Sequence, residues 1–517
     1  MRLVHLLLVA ALGFSTLTAT GGAAERAALR TAIDSIRRAD LQRHVETLAD
    51  DTFEGRAGGS RGGRAAGVYL SKELARVGLE PAGSDGSWFQ PFRGTHRNVL
   101  GAIEGNDPHL KMECIVVGAH YDHVGYGTPR NSYGPYGYIH NGADDNASGV
   151  AALIEVAEAF QAAELTPRRS ILFAFWDGEE QGLLGSKHWM QQPTVPLDEV
   201  RLGINLDMIG RLRDEQLEVW GTRTARGLRR LVGVQSAGAG LQLSFHNEIK
   251  PESDHYSFFE YNIPFLMFHT GKHPDYHRPS DDSHKINQEG VERVSRLLFD
   301  VVYELANRDQ APPFRPAAHH ESPDAILRRL ERPLPPRPPR FGVSWDERES
   351  PEPGLLLTRV VAGSPAETAG LRVGDRLLRF HDVEIHDGDS LRRLVLSAPR
   401  EVEIELRRAG DEQPETLQVR LAGRPVRVGI AWRMDEAEPG SVLVTRVVPG
   451  SPAARAGLRV RDRIYRVGGE DFSSSDAFRS RLDAASGPTP LLIDRNGKVD
   501  VGEIDLPAIE APAAPRS

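Results

Sequence analysis

Five polar clusters between positions 118 and 282 contain residue types that bind or activate metal ions. In chain order they are GAHYDH, GADDNASG, DGEEQG, NLDMIG and YHRPSDD. Zinc-assisted hydrolysis needs ligands that are deprotonated near neutral pH, an open coordination position and a base beside it. Histidine and carboxylate side chains in several clusters provide such groups, so the sequence indicates metal-assisted hydrolysis.

A site with two zinc ions about 3.5–4 Å apart also needs a carboxylate that bridges them. The clusters offer one candidate for each role. We expect a first zinc ligand, a bridging carboxylate, one further carboxylate for each ion, and a histidine that completes the second position. These predicted metal ligands are His120, Asp145, Glu180, Asp207 and His277.

Two further residues are assigned catalytic roles. Asp122 follows His120 by two positions, where it could orient the imidazole of that ligand. Adjacent residues on extended chain point to opposite sides, so Glu179 and Glu180 need different roles. Glu180 would bind metal, and Glu179 would act as the general base on a water that the two zinc ions activate.

The elements that must position these residues alternate between short apolar runs and amphipathic stretches from Asn98 to about Asn307. VLGAI, CIVVGA, SILFAFW, LGIN and IPFLMF are typical of strands buried on both faces. The pattern predicts an α/β domain with a mainly parallel mixed sheet flanked by helices. Because ligands gather beyond the carboxyl ends of parallel strands, clusters that follow strands are expected at one edge.

The five motifs together resemble the di-zinc aminopeptidase family that includes secreted bacterial leucyl aminopeptidases, with glutamate carboxypeptidase and glutaminyl cyclase as relatives. The resemblance selects Asp145 over Asp144 as the bridging ligand and implies a cis peptide at Asp145–Asn146. It implies that Tyr276, or alternatively Tyr256, stabilises the oxyanion. Other nearby histidines are disfavoured because the motif positions match His120 and His277; they are His123, His269, His273 and His284.

After a Pro-rich stretch the chain repeats itself, with Gly363 matching Gly450 and Asp375 matching Asp462 at a constant offset. Both copies contain GSPA-x-x-AGL and resemble small β-rich PDZ domains, in which a peptide C-terminus adds as a strand beside a carboxylate-binding loop. The resemblance places these peptide-binding loops at Phe341, Gly342 and Val343, and at Val428, Gly429 and Ile430. Spacer domains that bind no peptide would show the same repeats.

The first 24 residues carry Arg2, an apolar run and a small-residue end, which is typical of a cleavable signal peptide. We therefore expect a secreted or periplasmic protein without a membrane span after cleavage. The net charge of −9 argues against a nucleic-acid binder. The predicted organisation is a signal peptide (1–24), zinc exopeptidase domain (25–307), Pro-rich linker (308–335), two PDZ domains (336–424 and 425–507) and a tail (508–517).

The resulting hypothesis is an exported metallo-aminopeptidase that uses two Zn²⁺ ions to remove N-terminal residues from peptides with a free amine. The same ligands also suit cobalt or manganese. A carboxypeptidase would need a basic group for the substrate carboxylate, for which Arg211 and Arg278 are candidates. Two competing hypotheses are a glutaminyl cyclase of the same fold, which by resemblance uses one zinc, and a non-catalytic PDZ scaffold.

Overall fold

The computed structural model describes residues 21–332, 334–335, 338–346, 348 and 352–508. The chain divides into two compact units. The first contains the described residues up to Ile326 with two short later segments, and the second contains most of the described chain from Leu327 onward. Most of the predicted signal peptide (residues 1–20) and nearly all of the predicted tail lie outside the described residues.

The first unit alternates helices and strands. Its helices are α1 (Gly21–Ser35), α2 (Arg38–Leu48), α3 (Arg61–Arg76), α4 (Gly149–Ala162), α5 (Leu184–Gln191), α6 (Leu228–Gln235), α7 (His255–Glu260) and α8 (Gln288–Asn307). Its strands are β1 (Glu80–Pro81), β2 (Phe89–Phe92), β3 (His96–Ile103), β4 (Cys114–His120), β5 (Ser170–Trp176), β6 (Val200–Leu206), β7 (Gln216–Trp220), β8 (Gln242–His246) and β9 (Phe265–His269). Helix α9 (Pro323–Leu330) follows within the predicted linker.

The strands of the first unit form one mixed sheet in the order β1-β3-β5-β4-β6-β9-β7-β8, with β2 paired to β3. Its centre, β5-β4-β6-β9, is parallel. Strands β1, β2 and β3 continue it antiparallel on one side, and β7 pairs antiparallel with β9 on the other. The predicted α/β class with a mixed sheet flanked by helices is confirmed, while parallel pairing is concentrated in the centre of the sheet rather than prevailing throughout.

The central strands are apolar along their whole length because both of their faces are covered. On β4, Ile115 and Val117 join one hydrophobic cluster, whereas Cys114 and Val116 join another. Strand β5 divides in the same alternating way. This two-sided burial explains why the sequence of these strands does not alternate between apolar and polar residues.

Helices α4 and α8 cover one face of the sheet, where Phe160 of α4 packs on Phe299 of α8 with ring centroids 5.0 Å apart. Helix α8 begins where the side chain of Asn287 accepts a hydrogen bond from the main-chain N–H of Gly290. That cap satisfies an amide that the first turn of a helix otherwise leaves unpaired. Among the described residues, no helix is apolar over enough of its length to span a bilayer.

The second unit contains both sequence repeats. The first repeat has β10 (Val343–Trp345), β11 (Leu355–Val360), α10 (Pro365–Thr368), β12 (Arg376–Phe380), β13 (Val383–Glu384), α11 (Gly388–Ser397), β14 (Glu401–Arg407) and β15 (Pro414–Arg420). The second has β16 (Ile430–Arg433), β17 (Val442–Val447), α12 (Pro452–Arg455), β18 (Arg463–Val467), α13 (Ser475–Ala484), β19 (Gly487–Arg495) and β20 (Lys498–Leu506). Each repeat forms its own sheet around its own hydrophobic cluster.

Truncation of a central side chain tests this account of the sheet. Phe173 on β5 is 0% exposed, so Phe173→Ala should lower the free energy of unfolding of the first unit by roughly 3–5 kcal/mol through lost burial and a cavity. Met112→Ala is the matched control, because Met112 is 60% exposed and its loss should cost little. Urea unfolding followed by tryptophan fluorescence measures both. Equal stability of the two variants would contradict the two-sided core.

Candidate metal centre

The carboxyl ends of three neighbouring parallel strands bring the predicted ligands to one edge of the sheet. His120 is the last residue of β4, and Asp207 directly follows β6. Glu179 and Glu180 lie in a short 3₁₀ turn after β5, preceded by Gly178 with φ 75°. Since β4 lies between β5 and β6, His120 occupies the middle of this edge.

Asp145 reaches the same edge from a π-helical turn, Ala143–Ser148, that precedes α4. The Asp145–Asn146 peptide bond is cis, as the resemblance implies. The side chain of Asn146 donates to the carbonyl oxygen of Leu206 at 2.8 Å and accepts from the main-chain N–H of Met208 at 3.2 Å. These bonds hold the turn against the chain segment that leaves β6.

A buried guanidinium, that of Arg56, joins the two ligand-bearing segments. It donates to the main-chain carbonyl oxygens of Leu48, Tyr121, Asn141 and Gly142 at 2.6–2.9 Å. Burial lowers its pKa to about 10, although nearby carboxylates oppose that shift. The segment after β4 and the segment before the Asp145 turn are therefore fixed to one rigid side chain.

The carboxylate of Asp145 faces two groups of donor atoms. Its Oδ1 lies 3.3 Å from Nε2 of His120, and that nitrogen lies 3.4 Å from Oδ1 of Asp207. Its Oδ2 lies 3.1 Å from Nε2 of His277, which is also 3.1 Å from Oε2 of Glu180. Within each group the donor atoms lie within 4.8 Å of one another. Imidazole nitrogens and carboxylate oxygens so arranged fit a divalent metal such as zinc.

Burial and opposite charge act against each other at these ligands. Burial raises the pKa of Asp145, but the neighbouring His123, His120 and His277 outweigh it and hold that pKa well below its usual range. Burial lowers the pKa of His277, yet hydrogen bonds to Asp145 and Glu180 raise it to about 11. Buried carboxylates at such density need positive charge nearby.

Glu179 lies beside both donor groups. Burial raises its pKa well above the usual range, and the nearby carboxylates of Glu180 and Asp207 raise it further, while His120 opposes them. The main-chain N–H of Glu179 donates to Oδ1 of Asp122 at 3.0 Å. Glu179 thus has the setting expected of a general base, in a cleft and with a perturbed pKa.

Asp122 contacts the imidazole of His120 through its main-chain carbonyl oxygen rather than through the side chain expected of a residue that orients a ligand. Nδ1 of His120 lies 3.1 Å from the main-chain carbonyl oxygen of Asp122 and 3.8 Å from its carboxylate. The carboxylate is instead turned toward the main-chain N–H of Glu179. Asp122 therefore supports both the imidazole and the predicted base, the first through its main chain.

His123, which the motif comparison disfavoured, belongs to the second donor group with Asp145, Glu180 and His277. Its Nδ1 lies 2.9 Å from Oε1 of Glu180, and its side chain is buried. The sequence signal for His123 is its position three residues after His120, just past the end of the same strand. The matched motif positions do not include His123, so the resemblance does not predict it near the metal.

The other three histidines that the motif positions disfavoured lie outside both donor groups. His269 lines the cavity above the site. Nε2 of His273 lies 3.1 Å from Oδ2 of Asp144, and the side chain of His284 is 71% exposed.

The structure distinguishes the two candidate tyrosines by their surroundings. Tyr276 lines the cavity, and its ring stacks on that of His277 with centroids 3.9 Å apart. Tyr256 packs against Phe259 and is not among the residues that line the cavity. The carbonyl oxygen of His277 accepts from the main-chain N–H of Tyr133 at 3.1 Å, which anchors this segment.

A cavity of about 280 Å³ opens above the donor groups. Beyond the predicted ligands and base it is lined by Met208, Glu218, Trp220, Lys250, Glu252, His255, Met267, His269, Gly271, Lys272 and Tyr276. Neither of the two candidate carboxylate-binding arginines lines it: Arg211 donates to Asp275, and Arg278 donates to the carbonyl oxygens of Tyr133 and Gly134.

The two predicted peptide-binding loops have matching backbones. Gly342 has φ 98° and Gly429 has φ 88°. A Cβ atom at either glycine would lie within 2.2 Å of the Cβ atom of a serine, Ser364 or Ser451, that caps the following helix. Only glycine fits this close approach, so the loop shape in both repeats depends on it.

Comparisons with known proteins agree with this architecture. Residues 98–302 match peptidase family M28, and residues 356–408 and 443–495 match the PDZ domain. Aminopeptidase YwaD of Bacillus subtilis is 27% identical over 42% of this chain and 46% of its own length. Leupeptin-inactivating enzyme 1 of Streptomyces exfoliatus is 25% identical over 57% of this chain and 69% of its own.

The chain thus spans about half the length of the first of these relatives. Among solved structures, the LapA aminopeptidase of Legionella pneumophila is 21% identical, with a TM-score of 0.46 over 55% of this chain and 74% of that one. The sequence matches and the observed architecture together identify the parts of the molecule. The chain contains a peptidase family M28 domain followed by two PDZ domains.

Proposed function

We propose that this protein is an exported metallo-aminopeptidase that releases N-terminal residues from peptides. The observation that carries the proposal is the position of Asp145, which presents one oxygen to each of two donor groups beside Glu179. His120 and Asp207 would hold one ion, and Glu180 and His277 the other. Two divalent ions, zinc by resemblance, would supply Lewis-acid polarisation of the scissile carbonyl.

Glu179 acts first as a general base and then as a general acid. Its carboxylate removes a proton from the attacking water while the water oxygen bonds to the scissile carbonyl carbon. The same group then delivers that proton to the departing amine nitrogen as the C–N bond breaks. A pKa raised by burial suits a residue that must accept a proton and return it.

Two further residues assist this step. Asp122 holds the main chain of Glu179 through a 3.0 Å hydrogen bond and so restricts where the base can reach. Tyr276, at the cavity wall beside His277, donates its phenol O–H to the carbonyl oxygen as negative charge develops there. These roles rest on the placement of both side chains and on the family resemblance.

The lining of the cavity favours an N-terminal amine over a C-terminal carboxylate. Six of its residues are carboxylates and two are lysines. Lys250 lies 2.9 Å from Glu248, and Lys272 lies over the ring of Tyr276 at 4.7 Å, so both cations have partners. An ammonium group finds acidic neighbours here, which supports aminopeptidase rather than carboxypeptidase specificity.

The PDZ pair and the signal peptide complete the proposal. The glycine-dependent loops at Phe341–Val343 and Val428–Ile430 would hold the C-terminal carboxylate of substrate or partner peptides. Export rests on the composition of residues 1–24.

Substitution of the proposed base is the most direct test. Glu179→Gln keeps the shape of the side chain but cannot accept a proton, so kcat should fall by roughly 10²–10⁴-fold while metal content stays unchanged. Glu104→Gln is the control, since the Glu104 side chain is 77% exposed and lies outside the cavity lining and both donor groups. Its kcat should remain near that of the natural protein. A metal-loaded E179Q protein with full kcat would remove Glu179 from this role.

Zinc content tests the shared ligand. After dialysis against a weak chelator, the natural protein should retain two zinc ions per chain and Asp207→Asn one, because Asp207 belongs to one donor group. Asp145→Asn should lose affinity at both positions, since each Asp145 oxygen faces a different group. Atomic absorption gives the stoichiometry. Retention of two ions by D145N would show that Asp145 does not bridge.

Substrate polarity is tested with aminoacyl reporter amides, their N-acetylated counterparts and peptides that carry the reporter at the C-terminus. Cleavage should be confined to substrates with a free amine, should stop on chelation and should return with zinc. Release of C-terminal residues alone would instead indicate a carboxypeptidase. Absence of cleavage by protein that holds two metal ions would favour the non-catalytic scaffold.

A further inference from the structure

His123 is a buried histidine to which the proposed mechanism gives no role. It lies three residues after His120, in the segment that leaves β4, and is 1% exposed. Its main-chain N–H donates to the carbonyl oxygen of Arg56 at 3.2 Å, and it forms an isolated β-bridge with Ala57. The main chain therefore fixes the point from which the imidazole projects.

The two oxygens of the Glu180 carboxylate face different histidines. Oε1 lies 2.9 Å from Nδ1 of His123, whereas Oε2 lies 3.1 Å from Nε2 of His277. Nε2 of His277 also lies 3.1 Å from Oδ2 of Asp145, so Oε2 is the oxygen turned toward the donor group. One oxygen of Glu180 is thus available to a metal ion, and the other is at hydrogen-bond distance from His123.

The imidazole of His123 has little freedom to leave this position. A Cβ atom added at Gly142 would lie 2.5 Å from its Cδ2 and 2.6 Å from its Cγ, so the Asp145-bearing loop passes directly against the ring. On another side, the ring of His277 meets it edge-on with centroids 5.5 Å apart. The ring lies between the loop that carries Asp145 and the carboxylate of Glu180.

Glu180 lies in a three-residue 3₁₀ turn flanked by Gly178 and Gly182, with φ of 75° and 104°. Main-chain hydrogen bonds from Gly182 and Leu183 to the carbonyl oxygen of Glu179 fix this turn. They do not determine which oxygen of the Glu180 carboxylate faces the donor group. A metal-binding carboxylate is normally fixed by a hydrogen bond to the oxygen that does not bind the ion.

We propose that His123 is a positioning residue for the second metal position: its Nδ1–H donates to Oε1 of Glu180 and leaves Oε2 for the ion. This rests on the proposed function, since it assumes that Glu180 binds metal. Nδ1 of His123 also lies 3.7 Å from Oδ2 of Asp145, so direct ligation by His123 is the competing arrangement. A side chain that offers an N–H group but cannot replace imidazole as a metal ligand would preserve metal binding in the first arrangement. It would not preserve metal binding if His123 ligates the ion directly.

Two substitutions separate these arrangements. His123→Asn places an amide N–H close to the former Nδ1–H, whereas His123→Ala removes the donor. His284→Ala is the control, because the His284 side chain is 71% exposed and belongs to neither donor group. Full-length proteins are stripped of metal and titrated with Zn²⁺ against a chromophoric chelator, and the visible absorption of Co²⁺-loaded samples is recorded. Thermal melting of the metal-free proteins checks that each variant is folded.

We expect H123A to bind the second metal ion roughly 10–100-fold more weakly than the natural protein, as loss of a supporting hydrogen bond does elsewhere. H123N should restore most of that affinity and give the Co²⁺ spectrum of the natural protein. H284A should match the natural protein in both measurements.

Three results would overturn the proposal. If H123N is as weak as H123A and its Co²⁺ spectrum differs, His123 is a ligand. If H123A binds both ions as tightly as the natural protein, His123 only fills space. If the natural protein binds no second ion, this proposal and the proposed function fail together. Natural protein that binds two ions and cleaves no peptide would remove the proposed function alone, since the metal titrations need no substrate.

Discussion

The crowding of buried and half-buried carboxylates at one edge of the sheet is the constraint on which the rest of the first unit depends. Five carboxylates lie just past the ends of three strands or in the turn that precedes α4: Asp122, Asp145, Glu179, Glu180 and Asp207. Burial acts to raise the pKa of each of them, whatever the effect of neighbouring charges. Ionised groups at such density are stable only beside positive charge. Protonated histidines provide positive charge here, and bound divalent ions would provide more positive charge.

Rigid polar side chains keep these groups at fixed positions despite their repulsion. Arg56 holds two ligand-bearing segments through main-chain carbonyls, and Asn146 holds one of them, the Asp145 turn, against the end of β6. From the other side, Oδ2 of Asp281 accepts the main-chain N–H groups of Asp144 and Asp145 at 3.0 and 3.1 Å. The ligands thus occupy loops, but the loops are bonded to strands and helices that cannot shift without breaking buried hydrogen bonds.

The strands and most members of the donor groups could be predicted from the sequence because they depend on local patterns. Apolar runs such as SILFAFW predict buried strands, and parallel strands with polar residues just past their ends must bring those residues together. His123 and the main-chain contact of Asp122 depend instead on how the segment after β4 folds against distant loops. No spacing along the chain indicates that the Gly142 loop presses on the ring of His123. The packing of Ala318, a residue of the Pro-rich stretch, into a hydrophobic cluster of the first unit likewise depends on contacts that no local pattern indicates.

In the proposed function, the charge of the cavity links metal binding to substrate polarity. Asp145, Glu180 and Asp207 belong to the donor groups, so bound divalent ions would neutralise them. Glu218 and Glu252 line the same cavity outside those groups. A peptide that enters would find positive charge for its scissile carbonyl oxygen at the sheet edge and negative charge for its ammonium group on the cavity wall. Under the proposed function, a peptide that enters with its amino end first would satisfy both, so ions that polarise the carbonyl would also help to set which end of the chain is cut.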